Sequence, residues 1–503
     1  MTVTREIQSA LPRGSMPERA EEASEAEGAW KSDHRIVPMK PGNAGGGKAV
    51  TPAWRAEGAP AVHRDGDPVI YRLARIRQRA RTHRKEAFNN LFSHLDGEVL
   101  LWAYEQLEAG KAAGVDGISL EEYGQGLERR LTSLLDRLHR GSYRPQPSRR
   151  RWIPKGDGRQ RPLGIPAIED KIVQRALAAI LTEVYEEEFY EFSYGFRPGR
   201  GCHDALRALA RHIGHNRVNW VVEADIKGFF DNVDHEWLLR MVAVRVSDER
   251  VLRLIRQMLE AGVMEEGHRL ETEKGTPQGG VISPLLANIY LHYALDVWFA
   301  KVVTRDCGGE AYLVRYADDY AACFEHESEA RRFRTALDKR LGKFHLELEP
   351  TKTRVLRFGR FAKRDALRRG EQLAVFDFLG LTHYCGISRS GRFKLKWRTS
   401  KKRFRAKLQA IREWIRTHLT VPVAKLWKTV NRKLSGHYAY YYVSDNWRMV
   451  AEFRRQTLKA LWWGLNRRSQ RRSFTWRNFL AYIDRYPLAT PRQVANLNPV
   501  PTA

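Results

Sequence analysis

Two acidic residues stand side by side, Asp318 and Asp319, between two short apolar runs in the stretch Ala311 to Phe324, AYLVRYADDYAACF. β-Prone residues on either side of a short polar step predict a hairpin with both carboxylates at its tip. Adjacent like charges repel, so such a tip needs a neutralising partner, and a hard, oxygen-ligated divalent cation is the usual one. An Asx-type turn would account for an aspartate at a turn. It does not account for a third acid prepared in the same way. That acid is Asp225, in NWVVEADIKGFFD (Asn219 to Asp231), where the apolar run Trp220-Val221-Val222 leads to the aspartate and a Gly228-containing turn follows.

Other stretches supply groups that fit around such a centre. Arg149 to Pro166, RRRWIPKGDGRQRPLGIP, reads as a hairpin with Gly156-Asp157-Gly158 at its turn, bringing Lys155 and Arg161 near each other. Two mobile cations on a hairpin can close over a triphosphate. In the turn Ile226 to Phe230, Gly228 keeps the peptide N–H groups accessible to phosphate oxygens. Asp170 is expected to cap a helix with Val173, Ala176, Ile180 and Val184 on one face. The glycine-rich, cationic FSYGFRPGR (Phe192 to Arg200) offers Arg197 and Arg200 either as template-phosphate contacts or as parts of a structural loop. Gly275 to Gly280, GTPQGG, reads as a flexible loop before a helix with Ser283 as N-cap and Pro284 in its first turn. Leu286, Tyr290, Tyr293 and Val297 form that helix's buried stripe. Within the loop, the Gln278 amide is hard to justify by packing alone.

The charge balance points to the partner. The chain has 503 residues, 87 Lys and Arg against 59 Asp and Glu, and a net charge of +28. Such a surplus calls for a polyanion, nucleic acid or an anionic membrane. About 24 Lys and Arg against 3 acids lie between Gly391 and Leu480, together with recurrent Trp and Tyr. There, Phe404, Leu408, Ile411 and Ile415 make a helical core stripe, leaving Lys401, Lys402 and Arg405 on the surface. Residues 1–68 are rich in Ala, Gly, Pro, Glu and Arg, and disorder is expected. A basic helix carrying Arg72, Arg75, Arg77, Arg79 and Arg81 follows. No run of eighteen apolar residues and no apolar signal core occurs, so a soluble, cytoplasmic protein without a membrane partner is expected. Cys202, Cys307, Cys323 and Cys385 form no Cys-x-x-Cys pair and suit reduced thiols.

Taken in order, these motifs resemble a reverse transcriptase of the type encoded by bacterial group II introns, the intron maturases. The likeness runs from the seventies to about residue 490. It implies an α+β right-hand polymerase: fingers and palm of reverse transcriptase type over 69–385, a basic helical thumb/maturase domain over 386–490, and a tail over 491–503. It implies two Mg²⁺ ions, with Mn²⁺ as a substitute, held by Asp225, Asp318, Asp319 and Ile226. Nucleotide contacts are expected from Lys155, Arg161, Ile226, Phe229, Phe230 and Gln278. An aromatic ring at Phe230 would sit beneath the sugar and exclude a 2′-hydroxyl, while one of the Phe229–Phe230 pair is expected in the core. Lys352, beyond Pro350, would protonate the leaving pyrophosphate, and Phe376 to Gly380 would grip the primer end.

RNA contacts fall to Arg197, Arg200, Lys401, Lys402 and Arg405. The partners implied are intron RNA, an RNA template with a DNA primer, dNTPs and a DNA target, for a monomer or dimer. Two rivals remain: a non-intron bacterial reverse transcriptase of retron, diversity-generating or defence type, and a splicing-only maturase that binds RNA without polymerising.

Overall fold

Alternate residues of the strand Trp220–Ala224 face different cores. Trp220, Val222 and Ala224 pack into one shared with the N-terminal helices, and Val221 into one shared with the C-terminal helices. The computed structural model describes residues 67–154, 160–271, 274–276, 279–468 and 474–498. In chain order its strands are β1 (Ser148–Pro154), β2 (Gln160–Ile165), β3 (Trp220–Ala224), β4 (Val263–Glu265), β5 (His268–Leu270), β6 (Ala311–Tyr316), β7 (Asp319–Phe324), β8 (Arg354–Arg357), β9 (Val375–Phe378), β10 (Leu381–Ile387) and β11 (Phe393–Thr399).

The central sheet has the order β6-β7-β3-β8, all antiparallel. Leu313, Tyr320, Ala322 and Phe324 join the first core, while Val314, Ala321 and Cys323 join the second. A strand covered on both faces reads as a continuous apolar run, and β3 and β7 have that character. The helix Cys202–His215 covers the second face with Ala205, Leu206, Leu209, Ala210 and Ile213. The first face is covered by a helix that starts at Ser283 and burial of Leu286, Tyr290, Tyr293 and Val297, as expected from their spacing. Ser283 is its first helical residue, and Ile282 occupies the cap position instead.

A second sheet, β2-β1-β4-β5, carries the predicted basic hairpin, with Arg149 opposite Ile165 and Ile153 opposite Arg161. The helices Pro68–Thr82, Gly97–Glu105 and Ile168–Tyr185 pack on one another within the first core. Asp170 does not cap the last of these. The helix begins at Ile168, and Asp170 lies buried in its first turn, accepting from Tyr143 Oη at 2.5 Å and Gln146 N at 3.0 Å. Burial pushes its carboxyl up to about 6.

The third sheet, β11-β10-β9, runs across the boundary expected at residue 385, which falls inside β10. The all-helical part starts at Lys401, with helices Lys401–Thr417, Val423–Tyr441, Trp447–Asn466 and Trp476–Arg485. Part of the expected tail is docked: Ala495 pairs with Val443, and Leu497 is buried. The expectation of disorder before residue 67 lies outside the described residues. All four cysteines are free, and among the described residues no helix is long and apolar enough to cross a membrane.

Candidate active site

β6 and β7 pair from Ala311 opposite Phe324 to Tyr316 opposite Asp319, leaving Ala317 and Asp318 as the turn. Ala317 takes φ +55°, a left-handed conformation that a residue with a Cβ adopts at a cost. What holds it there is Arg315. Its Nη1 donates to the Ala317 carbonyl at 3.1 Å and to Asn288 Oδ1 at 3.0 Å. Nε and Nη2 donate to the two carboxylate oxygens of Asp296 at 2.8 and 2.5 Å, and Nη2 also to Ser193 Oγ at 2.7 Å. Both charged side chains are 0% exposed. Asn288 in turn donates to the Gly195 carbonyl at 2.6 Å. A Cβ at Gly195 would lie 2.3 Å from Ala317 N, so that loop can approach the turn only as glycine.

The third acid arrives from the neighbouring strand. Ala224 of β3 lies opposite Tyr320 of β7, so the next residue, Asp225, comes level with Asp319. The three carboxylates feel one another. Withdrawal from bulk water, then repulsion from Asp318 and Asp225, pushes the Asp319 carboxyl up to about 6, against the pull of Arg403. The carboxyl of Asp318 is also raised, chiefly by burial and then by Asp225, with Arg161 and Arg315 opposing. Asp225 itself is ion-paired to Lys352 through Oδ2. Among the described residues no three His, Cys, Asp or Glu side chains are grouped so that they could hold a metal ion. The three acids are nonetheless of the chemistry that a hard divalent cation takes, carboxylates whose mutual repulsion such an ion relieves.

Behind Asp225 the backbone is partly committed. Glu349 N donates to the Asp225 carbonyl at 2.8 Å, and Lys227 N to the Glu347 carbonyl at 2.9 Å. In an antiparallel bridge of this kind the N–H and C=O of the intervening Ile226 point away from its partner Leu348, toward the β7 side of the sheet. Phe229 is 2% exposed and packs edge-on against Tyr290, so its side chain belongs to the core and is withdrawn from the expected nucleotide contacts. Its neighbour Phe230 is half-buried. Arg161 is exposed on β2 and lies within the electrostatic reach of Asp318. Lys155 and Gln278 lie outside the described residues. Gly279 presses against β2, where a Cβ would lie 2.4 Å from the Gly164 carbonyl.

Asp318 and Asp319 line a cleft of about 1050 Å³ whose far wall is the helix Lys401–Thr417. Leu379 and Gly380, from the turn after β9, also line it. Lys401, Lys402 and Arg405 are exposed on that helix, and Arg405 faces the cleft. Arg403 does so too and carries the largest attractive influence on Asp319. Sequence reasoning passed over it because it stands among several similar cations. Arg315 was also missed, although a charged residue inside a run destined for burial on both faces was a signal.

Arg197 is corrected outright. Its side chain is 2% exposed, paired with Glu186 at 3.0 Å and donating to the Tyr190 and Ser193 carbonyls at 2.8 and 2.7 Å, which makes it a structural cation. Arg200 is likewise held by Glu191, at 2.6 Å. The structural-loop reading of FSYGFRPGR is the one these contacts support.

Residues 153–383 match the reverse transcriptase (RNA-dependent DNA polymerase) family. The group II intron-encoded protein LtrA of Lactococcus lactis is 41% identical over 228 residues, 45% of this chain and 38% of that protein. Protein YkfC of Escherichia coli is 43% identical over 182 residues, 36% of this chain and 48% of that protein. Nuclear intron maturase 4 of Arabidopsis thaliana is 33% identical over 130 residues, 26% and 16% respectively. The aligned stretch thus spans less than half the length of each of these relatives. Residues 153–383 thus match the reverse transcriptase family, and over 228 residues the chain is similar to a group II intron-encoded protein.

Proposed function

We propose that the chain is the RNA-directed DNA polymerase of a group II intron and also binds the intron RNA to assist splicing and mobility. The observation that carries this reading is the register that brings Asp225 level with Asp319 at adjacent strand ends, with Asp318 and Asp319 lining a cleft whose far wall is rich in cations. The central sheet then serves as the palm, β1 and β2 as fingers, and the helices after Lys401 as thumb and maturase domain. The intron proteins among the relatives favour this reading over a retron, diversity-generating or defence enzyme. All three carboxylates are present, which favours it over a splicing-only maturase.

Asp225, Asp318 and Asp319, with the main chain of Ile226, would hold two divalent ions, Mg²⁺ or in its place Mn²⁺. Such ions lower the pKa of the primer 3′-hydroxyl and neutralise charge on the triphosphate. The protein's own groups do the rest. Arg161, with Lys155, clamps the incoming dNTP, and Gln278 lies against it. The half-buried Phe230 ring supports the sugar and excludes a 2′-hydroxyl. Lys352, whose ammonium rests on Asp225, holds a proton at Nζ for the leaving pyrophosphate. Splicing assistance needs no carboxylate, because binding the folded intron RNA more tightly than its unfolded forms favours the folded one. Purified protein given a primed RNA template and dNTPs is expected to extend the primer into DNA. No extension under any divalent ion would overturn the proposal.

The raised Asp319 carboxyl makes divalent binding pH-dependent. Its folded value, about 6, lies above the ordinary 3.8, so the fold holds this proton more tightly than the unfolded chain does. Its contribution to stability is therefore greatest in acid and declines as pH rises through about 6. A divalent ion counters that decline and competes with the proton. Mg²⁺ is expected to raise the melting temperature more at about pH 7 than at about pH 5. A pH-independent shift would remove Asp319 from the ligand set.

The exposed cations at the start of the helix Lys401–Thr417 are proposed to contact RNA phosphates. Reversing the charge of Lys401, Lys402 and Arg405 together is expected to weaken RNA binding and reduce the slope of log K against log salt by about 2 to 3. An unchanged slope would exclude them from the interface.

A further inference from the structure

A second groove, of about 400 Å³, lies between the helices Lys401–Thr417 and Trp447–Asn466. Its floor is apolar, made by Ile415, Leu419 and Ala460. The helices approach closely at Gly464, where a Cβ would lie 2.8 Å from Ile415 Cγ2 and 3.1 Å from Leu419 Cδ2. Its rim is cationic: Arg412, Arg416, Lys459 and Arg467 are all exposed, and none of the residues lining the groove is acidic. Arg412 donates to Gln456 Oε1 at 2.7 Å, and Arg416 approaches Glu413, outside the groove, at 3.6 Å. Among these cations stands Trp463, 57% exposed, steadied edge-on by Trp462 with 5.0 Å between ring centroids.

Four cations around a lining that contains no acid select a polyanion. A bare indole face among them adds something that a phosphate does not need and a nucleobase does, because every base can stack on an aromatic ring. In a continuous A-form duplex both faces of each base are already stacked, so the occupant is a nucleotide outside the pairing. Arg412 lines this groove and the carboxylate-floored cleft alike, so one bound nucleic acid can run through both. Resting on the RNA-binding reading above, we propose that the groove takes one unpaired nucleotide of the bound RNA, its base stacked on Trp463 and its flanking phosphates on Arg412, Arg416, Lys459 and Arg467.

The test compares two labelled RNA hairpins, one fully paired and one carrying a single-nucleotide bulge, titrated with the full-length chain. The wild-type protein is expected to prefer the bulged hairpin. Trp463→Ala should weaken that hairpin by ~5-fold or more while leaving the paired one unchanged, and Trp463→Phe should keep the preference. Thermal melting and circular dichroism, which do not depend on nucleic-acid binding, report that the Trp463→Ala protein is folded. Equal losses on both hairpins, or no loss on either, would overturn the groove proposal and leave RNA binding by these helices standing. A wild-type protein that binds neither hairpin would overturn both.

Discussion

Asp319→Asn is expected to cut primer extension by on the order of a thousandfold, because it removes one ligand charge where a divalent ion supplies several kcal/mol of barrier lowering. RNA affinity should change little, since the cations proposed to bind RNA lie on the helix Lys401–Thr417 and its neighbours. Stability should not fall either. Asp319 is exposed at the tip of the hairpin, yet the protein crowded around its carboxyl and its two acidic neighbours hold that carboxyl above its ordinary range, so at neutral pH its charge opposes folding. Removing that charge leaves a protein as stable as the parent or slightly more so, as thermal melting in the absence of divalent ions would report. An inactive variant that also melts earlier would mean that Asp319 serves the fold rather than the reaction. Full activity would remove the residue from the centre altogether.

The second large effect is expected at Arg315. Replacing it with Met leaves the fully buried Asp296 without its partner, a change that costs about 3–5 kcal/mol of stability. Adding Asp296→Leu removes the stranded charge, and most of that loss should return, because a buried ion pair exchanged for apolar side chains is often close to neutral. Activity should not return with it. The Ala317 carbonyl would still lack the Nη1 donor that holds the left-handed turn, so Asp318 and Asp319 would lose their fixed placement. Denaturant unfolding alongside primer extension separates the two effects. If the double variant regains both stability and activity, the guanidinium is a packing element and does not position the turn.

These two residues mark what could and could not be read before the fold was seen. The aspartates were legible because each follows an apolar run, and burial on both faces of β3 and β7 makes those runs continuous. Their meeting depends on one register, Ala224 opposite Tyr320, which joins segments almost a hundred residues apart in sequence and has no local signature. Arg197 and Asp170 failed for the opposite reason. Charge type suggests exposure, but Arg197 is satisfied by Glu186 and two carbonyls, and Asp170 by Tyr143 and a backbone amide. Such pairings belong to tertiary packing. One ring of the pair Phe229 and Phe230 was expected in the core, and Phe229 is that ring; the short turn carries no periodicity to separate the two faces, and only the resemblance singled out Phe230. Composition turns basic before the third sheet ends, at Thr399, so the change of composition near residue 385 does not coincide with a change of secondary structure.

The central claim is that Asp225, Asp318 and Asp319 share divalent ions at one point in space. Iron-directed hydroxyl-radical cleavage tests it directly, with Fe²⁺ in place of Mg²⁺ and no substrate present. The account predicts backbone cuts clustered beside residue 225 and beside residues 318 and 319, suppressed by excess Mg²⁺ and lost in Asp319→Asn. Cuts near only one of the two segments, or a pattern indifferent to Mg²⁺ and to the substitution, would contradict it.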